Sequence, residues 1–224
     1  MSEVKETQTT IFFEGRFDIS LLLDTLDFAA KKHSQQKRKD REGTRLEYLS
    51  CPRESEGMKA HITTTKAYIN HPIGVAKNLT DAGITDFATI QAAILHDTVE
   101  DTETTFEEIE SKFGNEVRKI VEEVTDDKSL QTAERKRLQI EHTPHISDKA
   151  KLVKLADKLY NLRDMQRSVP VNWSKDRVQE YFVWSKKVTD GAKGISQLLD
   201  DQLEDLYQNG TFELDNETYE SYPK

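Results

Sequence analysis

Apolar residues along this chain recur at helical spacing almost throughout. Leu21, Leu22, Thr25, Phe28 and Ala29 share one face of the stretch Phe17 to His33, which predicts an amphipathic helix. His71-Pro72 opens a second helix with Ile73, Val75, Ala76 and Leu79 apolar. Phe87 to His96 is rich in Ala and Ile and reads as a buried helix. Thr105-Phe106-Glu107-Glu108 has the form of a capping box, in which a Thr hydroxyl and a Glu three residues on satisfy free backbone N–H groups. The helix it starts carries Phe106, Ile109 and Phe113, and Val117, Ile120, Val121 and Val124 continue the stripe beyond Gly114. A polar helix over 135–142 follows. Residues 150–164 are apolar at Leu152, Val153, Leu155, Ala156, Leu159 and Leu162. Two further helices are predicted over 175–189 and 195–207, with Gly191 and Gly194 marking the break. No two-residue alternation, hairpin signal or internal repeat is visible. The expectation is an all-α, compact multi-helix fold.

The polar stretches set the expected boundaries. Residues 1–15 read as a flexible leader, 16–207 as one domain, and 208–224 as an acidic, frayed tail. Residues 45–67 lack periodicity and hold Cys51-Pro52, Gly57 and three consecutive threonines, so they read as an inserted loop. A basic run precedes that loop: Lys31, Lys32, Lys37, Arg38, Lys39 and Arg41.

Composition narrows the partners. The chain has 224 residues and a net charge of −9, which argues against a general nucleic-acid-binding surface. Locally concentrated Lys and Arg still allow an anionic nucleotide. One cysteine excludes an intramolecular disulfide and fits a reducing compartment. The polar N-terminus is no secretory signal, and no stretch approaches a membrane span. A cytoplasmic protein with no membrane partner is expected. Oligomeric state is not legible.

Within this frame the run Ala92-Ala93-Ile94-Leu95-His96-Asp97-Thr98-Val99-Glu100-Asp101 stands out. On a helix, His96 lies beside Glu100 and Asp97 beside Asp101. One imidazole and three carboxylates in six residues repel unless a cation joins them. Two more candidate ligands sit on or beside apolar helices: His71, and Asp157 between Leu155, Ala156 and Leu159. An unpaired carboxylate is costly in such a place. Taken singly, each residue reads as a capped or salt-bridged polar group; together they read as a metal site. The mixed imidazole and carboxylate set suits Mn²⁺, Fe²⁺ or Zn²⁺. Such an ion keeps positions open for water and a phosphate oxygen, the equipment for phosphoester or pyrophosphate hydrolysis. His33, His61, His142 and His145 sit among polar residues and read as solvated. The two Trp and most other aromatics read as core.

These residues resemble the H…HD…D pattern of the HD-domain phosphohydrolases. YINHPIGVA at 68–76, AAILHDTVEDT at 92–102, FGNEVRKIVEEVTDDK at 113–128 and KLVKLADKLYNLRDM at 151–165 resemble the hydrolase half of RelA/SpoT enzymes, especially its small metazoan form. The resemblance covers roughly 20–205 apart from 45–67. It implies one Mn²⁺ held by His71, His96, Asp97 and Asp157, with Glu100 and Asp101 positioning and activating water. It implies that Arg38 and Lys39 engage a purine nucleotide and that Asn161 lies beside it. The implied reaction removes the 3′-pyrophosphate of guanosine 3′,5′-bis(diphosphate), ppGpp, giving GDP and pyrophosphate. The animal members also resemble an NADPH 2′-phosphatase, and both substrates carry phosphate on a secondary ribose hydroxyl. No synthetase domain follows Asp164, so degradation without synthesis is expected.

One departure is plain. The family passes from Gly-Thr to Tyr-Ile-Asn-His across a residue or so, whereas here 45–67 intervene between Thr44 and Tyr68. The segment is an insertion or a gene-model artefact. Two other functions stay open at this level: a nucleotide-binding regulator with weak turnover, and an HD hydrolase of another nucleotide.

Overall fold

The computed structural model describes residues 18–36 and 67–223. Arg38, Lys39, His61 and nearly all of the 45–67 segment lie outside the described residues, as does the leader. The described helices are α1 (Ile19–Lys32), α2 (Asn70–Asp81), α3 (Phe87–Leu95), the one-turn α4 (Thr98–Asp101), α5 (Phe106–Val124), α6 (Thr132–His142), α7 (Asp148–Arg167), α8 (Lys175–Asp190) and α9 (Gln197–Asn209). A 3₁₀ turn, Thr143–His145, joins α6 to α7.

Helix α3 is central because it is buried on every side: every residue from Thr89 to Leu95 is buried, and the polar Gln91 among them donates to Thr25. It packs against α1, α2, α5 and α7, and α7 in turn meets α2, α5, α8 and α9. The capping residues behave as their chemistry dictates. Asp18, Asp86, Thr105, Ser147 and Ser174 each accept from a backbone N–H in the first turn of the helix that follows. The stripe beyond Gly114 continues through a kink there, where φ is +88°.

Two expectations need correcting. His33 is buried at 2 % exposure, not solvated. It stands one turn after Ala29 and two after Thr25, both fully buried, so the helical repeat carries it inward. The segment read as a frayed tail contains a hairpin, β1 (Thr211–Leu214) paired antiparallel with β2 (Glu217–Glu220). Phe212 and Leu214 face the core while Thr211 and Glu213 face out. Asp215 and Asn216 both take positive φ, as a two-residue hairpin turn requires. Thr-Phe-Glu-Leu-Asp-Asn is the signal for it, short enough to be masked by the acidic composition around it. Among the described residues the fold is all-α apart from this hairpin, which packs on α7.

Candidate metal centre

Three segments bring the centre together: α2, the break between α3 and α4, and α7. On α2, Pro72 lies in the first turn, where a missing N–H leaves no helical bond unmade. His71 beside it is 3 % exposed. Gly74 lets α2 approach α7: a Cβ there would lie 1.9 Å from the Tyr160 ring. The His71 ring packs edge-on against Tyr68, His96 and Tyr160, at centroid distances of 5.9, 5.1 and 5.0 Å.

Helix α3 ends at the His-Asp pair, and the motif's own side chains cap it. His96 Nδ1 lies 2.8 Å from the Ala93 carbonyl, and Thr98 Oγ1 donates to the Leu95 carbonyl at 2.6 Å. Both carbonyls belong to the last turn, where helical partners run out. A proton on His96 Nδ1 leaves Nε2 as a lone-pair donor. That Nε2 is buried with no hydrogen-bond partner.

Around it stand the other expected ligands. His96 Nε2 is 3.1 Å from Asp97 Oδ1 and 3.8 Å from Asp157 Oδ1. His71 Nε2 is 3.3 Å from Asp97 Oδ2 and 3.2 Å from Asp157 Oδ1. Adjacent ligands around an octahedral ion with bonds near 2.1 Å are about 3 Å apart, so these spacings fit a shared cation. His71, His96 and Asp97 form the tightest group, with ligand atoms within 4.8 Å of one another; Asp157 joins through both histidines.

The electrostatics ask for positive charge. Burial disfavours an imidazolium at His96, but Asp97 and Asp157 overcome it and raise the pKa to about 9. Burial pushes the Asp97 and Asp157 carboxyls up, yet the histidines, with Lys158 beside Asp157, hold both below the usual range. A divalent ion satisfies the same demand as the protons it displaces.

The two carboxylates beyond the pair differ in surroundings. Glu100 is pushed up to about 7 by burial, then by Asp126 and Asp97. The Arg135 guanidinium lies 3.6 Å from it. Asp101 accepts from the Tyr68 hydroxyl at 3.0 Å and pairs with Lys128. Asn161 donates to Asp157 Oδ1 at 2.7 Å, so it also orients a ligand.

All these groups line one cavity of about 290 Å³. Its wall adds residues the sequence did not single out: Tyr68, Asp126, Arg135, Lys136, Lys154, Lys158, Tyr181 and Trp184. Trp184 is wall, not core; its indole N–H donates to the Lys136 carbonyl at 3.0 Å, and Lys158 Nζ lies 4.7 Å from the ring centroid. The signal for Lys154 and Lys158 was their place on the inner face of α7, one turn apart. Five carboxylates and four cationic side chains line the cavity, so a divalent ion turns its balance positive.

The chain is similar to known proteins. A family profile described as HD domain matches residues 52–182. The chain belongs to the HD-domain family. Its relatives include the guanosine-3′,5′-bis(diphosphate) 3′-pyrophosphohydrolase MESH1 of Xenopus tropicalis, 54% identical over 193 residues, which are 86% of this chain and 96% of the relative. MESH1 of Homo sapiens is 54% identical over 188 residues, 84% of this chain and 93% of its own length. A solved structure, of a metazoan SpoT orthologue said to hydrolyse ppGpp and to play a role in starvation responses, superposes with a TM-score of 0.74. It is 42% identical and covers 87% of this chain and 97% of its own. Among the described residues no helix is long and apolar enough to cross a membrane.

Proposed function

We propose that this chain hydrolyses ppGpp to GDP and pyrophosphate at the cavity between α2, α4, α6 and α7. The observation that carries the reading is the unpartnered, buried Nε2 of His96 facing Asp97 and Asp157, with His71 alongside and Glu100 in the same cavity. The names of the relatives support the substrate.

His71, His96, Asp97 and Asp157 would hold a single Mn²⁺, with Zn²⁺ or Fe²⁺ as substitutes that suit the same donors. When bound, such an ion supplies Lewis acidity toward a phosphoryl oxygen and makes water more acidic. Glu100 accepts the proton of the attacking water, because a carboxylate titrating near 7 is matched to that task. Asp101, held by Tyr68 and Lys128, orients that water. Arg135, Lys136 and Lys158 balance the charge of the departing pyrophosphate. Arg38 and Lys39 engage the purine nucleotide, and Asn161 fixes Asp157 beside it. The NADPH 2′-phosphate is a second candidate substrate for the same site, because it too is a phosphate on a secondary ribose hydroxyl and a positive balance with a metal bound would attract it. The cytoplasm is the proposed location.

The test is incubation of the purified chain and Mn²⁺ with ppGpp, NADPH and a deoxynucleoside monophosphate in parallel. Pyrophosphate release from ppGpp is the expected result. Orthophosphate from NADPH alone would reassign the substrate, and tight nucleotide binding without product would make the protein a regulator.

A further inference from the structure

The Tyr68 side chain stands between the candidate ligand Asp97 and the water-orienting Asp101. Its hydroxyl lies 2.5 Å from Asp97 Oδ2 and 3.0 Å from Asp101 Oδ2. A phenol carries one proton. The two carboxylates therefore share one donor, and the hydroxyl sits where they would otherwise repel. Asp101 is held at two further points. Lys128 pairs with its other carboxylate oxygen, and Gln36 Nε2 donates to its backbone carbonyl at 2.6 Å. The Tyr68 ring stacks on the buried His33 ring, with centroids 4.8 Å apart and planes 36° from parallel. His33 Nδ1 lies 2.7 Å from Gln36 Oε1, and the Tyr68 N–H donates to the Gln36 carbonyl at 3.3 Å. Gln36, His33 and Tyr68 thus form one brace whose two ends, the hydroxyl and the Gln36 amide, both reach Asp101.

We propose that Tyr68 is a positioning residue whose hydroxyl sets the orientation of the ligand Asp97 and its distance from Asp101, with Gln36 and His33 holding that hydroxyl in place. The inference rests on the hydrolase reading above. A donor to a ligating carboxylate fixes which oxygen faces the ion, and loss of such outer partners typically costs about 10–100-fold in metal affinity or activity. Loss of the link to Asp101 misplaces the attacking water, which lowers kcat and leaves nucleotide binding alone.

The experiment uses the metal-depleted full chain. Mn²⁺ is titrated calorimetrically into wild type, Tyr68→Phe and Gln36→Leu, and kcat and KM for ppGpp are then measured at saturating Mn²⁺. Tyr68→Phe keeps the ring and its stack on His33. It is expected to weaken Mn²⁺ binding about 10–100-fold and to lower kcat by a similar factor, with KM and Tm close to wild type. Gln36→Leu, which removes the direct bond to the Asp101 carbonyl and the contact that holds His33, is expected to lower kcat and to weaken Mn²⁺ binding less than Tyr68→Phe does. Wild-type Mn²⁺ affinity and kcat in Tyr68→Phe would overturn the proposal. If Tyr68→Phe does not fold, Gln36→Leu decides: an unchanged kcat refutes the brace. A wild-type chain that binds Mn²⁺ and leaves ppGpp intact defeats the hydrolase reading instead, and the Mn²⁺ titration of Tyr68→Phe still decides the role of the hydroxyl.

Discussion

Glu100 and Asp101 are adjacent carboxylates that the fold treats differently. Glu100 is half-buried, and that partial burial, with Asp126 and Asp97 beside it, pushes it up to about 7, whereas Asp101 is pinned by Tyr68 and Lys128. Glu100→Gln is expected to lower kcat by about 10²–10⁴-fold with the metal retained, as loss of a general base does; Asp101→Asn should also keep its metal and lose turnover. Metal analysis of the purified variants checks both, and loss of the ion would make these residues ligands. The pH dependence has a definite sign. Glu100 acts as a carboxylate, so turnover should fall as pH drops through its pKa; a cation nearby lowers that pKa, placing the acid limb at or below about 7. Its folded pKa exceeds the ordinary value of 4.5, so ionisation costs stability, a cost that grows from that value up to about 7 and is complete above it. Metal-free Glu100→Gln should therefore melt higher than wild type at pH 8. At His96 a proton and the ion compete for Nε2, and the proton is held up to about 9. Mn²⁺ affinity should weaken steadily from pH 8 to pH 6. His96→Ala or Asp97→Ala should lose both ion and activity; either variant with full metal content and normal turnover would displace the centre from this pair.

At the scale of elements, the approach of α2 to α7 places His71 against Asp157. Gly74 permits it, because an added methyl meets the Tyr160 ring at 1.9 Å. Forcing atoms into packed space typically costs about 1–3 kcal/mol. Gly74→Ala should lower Tm and weaken Mn²⁺ binding together, since the Tyr160 ring it displaces also packs on His71. A variant with lower Tm and unaltered metal affinity would uncouple helix spacing from the centre. The HD break between α3 and α4 was legible as a motif because its residues are contiguous. The role of α6 was not. None of its residues is buried, yet Arg135 and Lys136 line the cavity. A polar helix with no buried face looks in sequence like any solvated surface helix, and only its neighbours show that one side faces an enclosed site.

At the scale of the whole molecule, the long segment between α1 and α2 leaves and returns at one place. The Tyr68 N–H donates to the Gln36 carbonyl, so the two ends are held together. From Lys39 to His71 the chain runs 32 positions, roughly three times the family spacing, and lengthening a closed segment threefold adds only about 1 kcal/mol. Deleting 45–67 and joining Thr44 to Tyr68 through one Pro is expected to preserve the fold and to keep or raise kcat/KM. A shortened chain that cannot fold, with the full chain stable and active, would show that the segment packs as part of the domain. Helical stripes, caps and the His96-Asp97 adjacency are local, so the residue order alone determined the helices and nominated four candidate ligands. Local periodicity also carried the sign of burial for His33, though its polar neighbours obscured it. What the tertiary structure decided is everything that depends on which helices meet. Asp157 and His71 are 86 positions apart and come within 3.2 Å only because Gly74 lets α2 and α7 close. The pairing of Tyr68 with Asp97 and Asp101, and the cationic wall opposite them, follow from the same packing, since a side chain's partners across a cavity leave no periodic trace in its own segment.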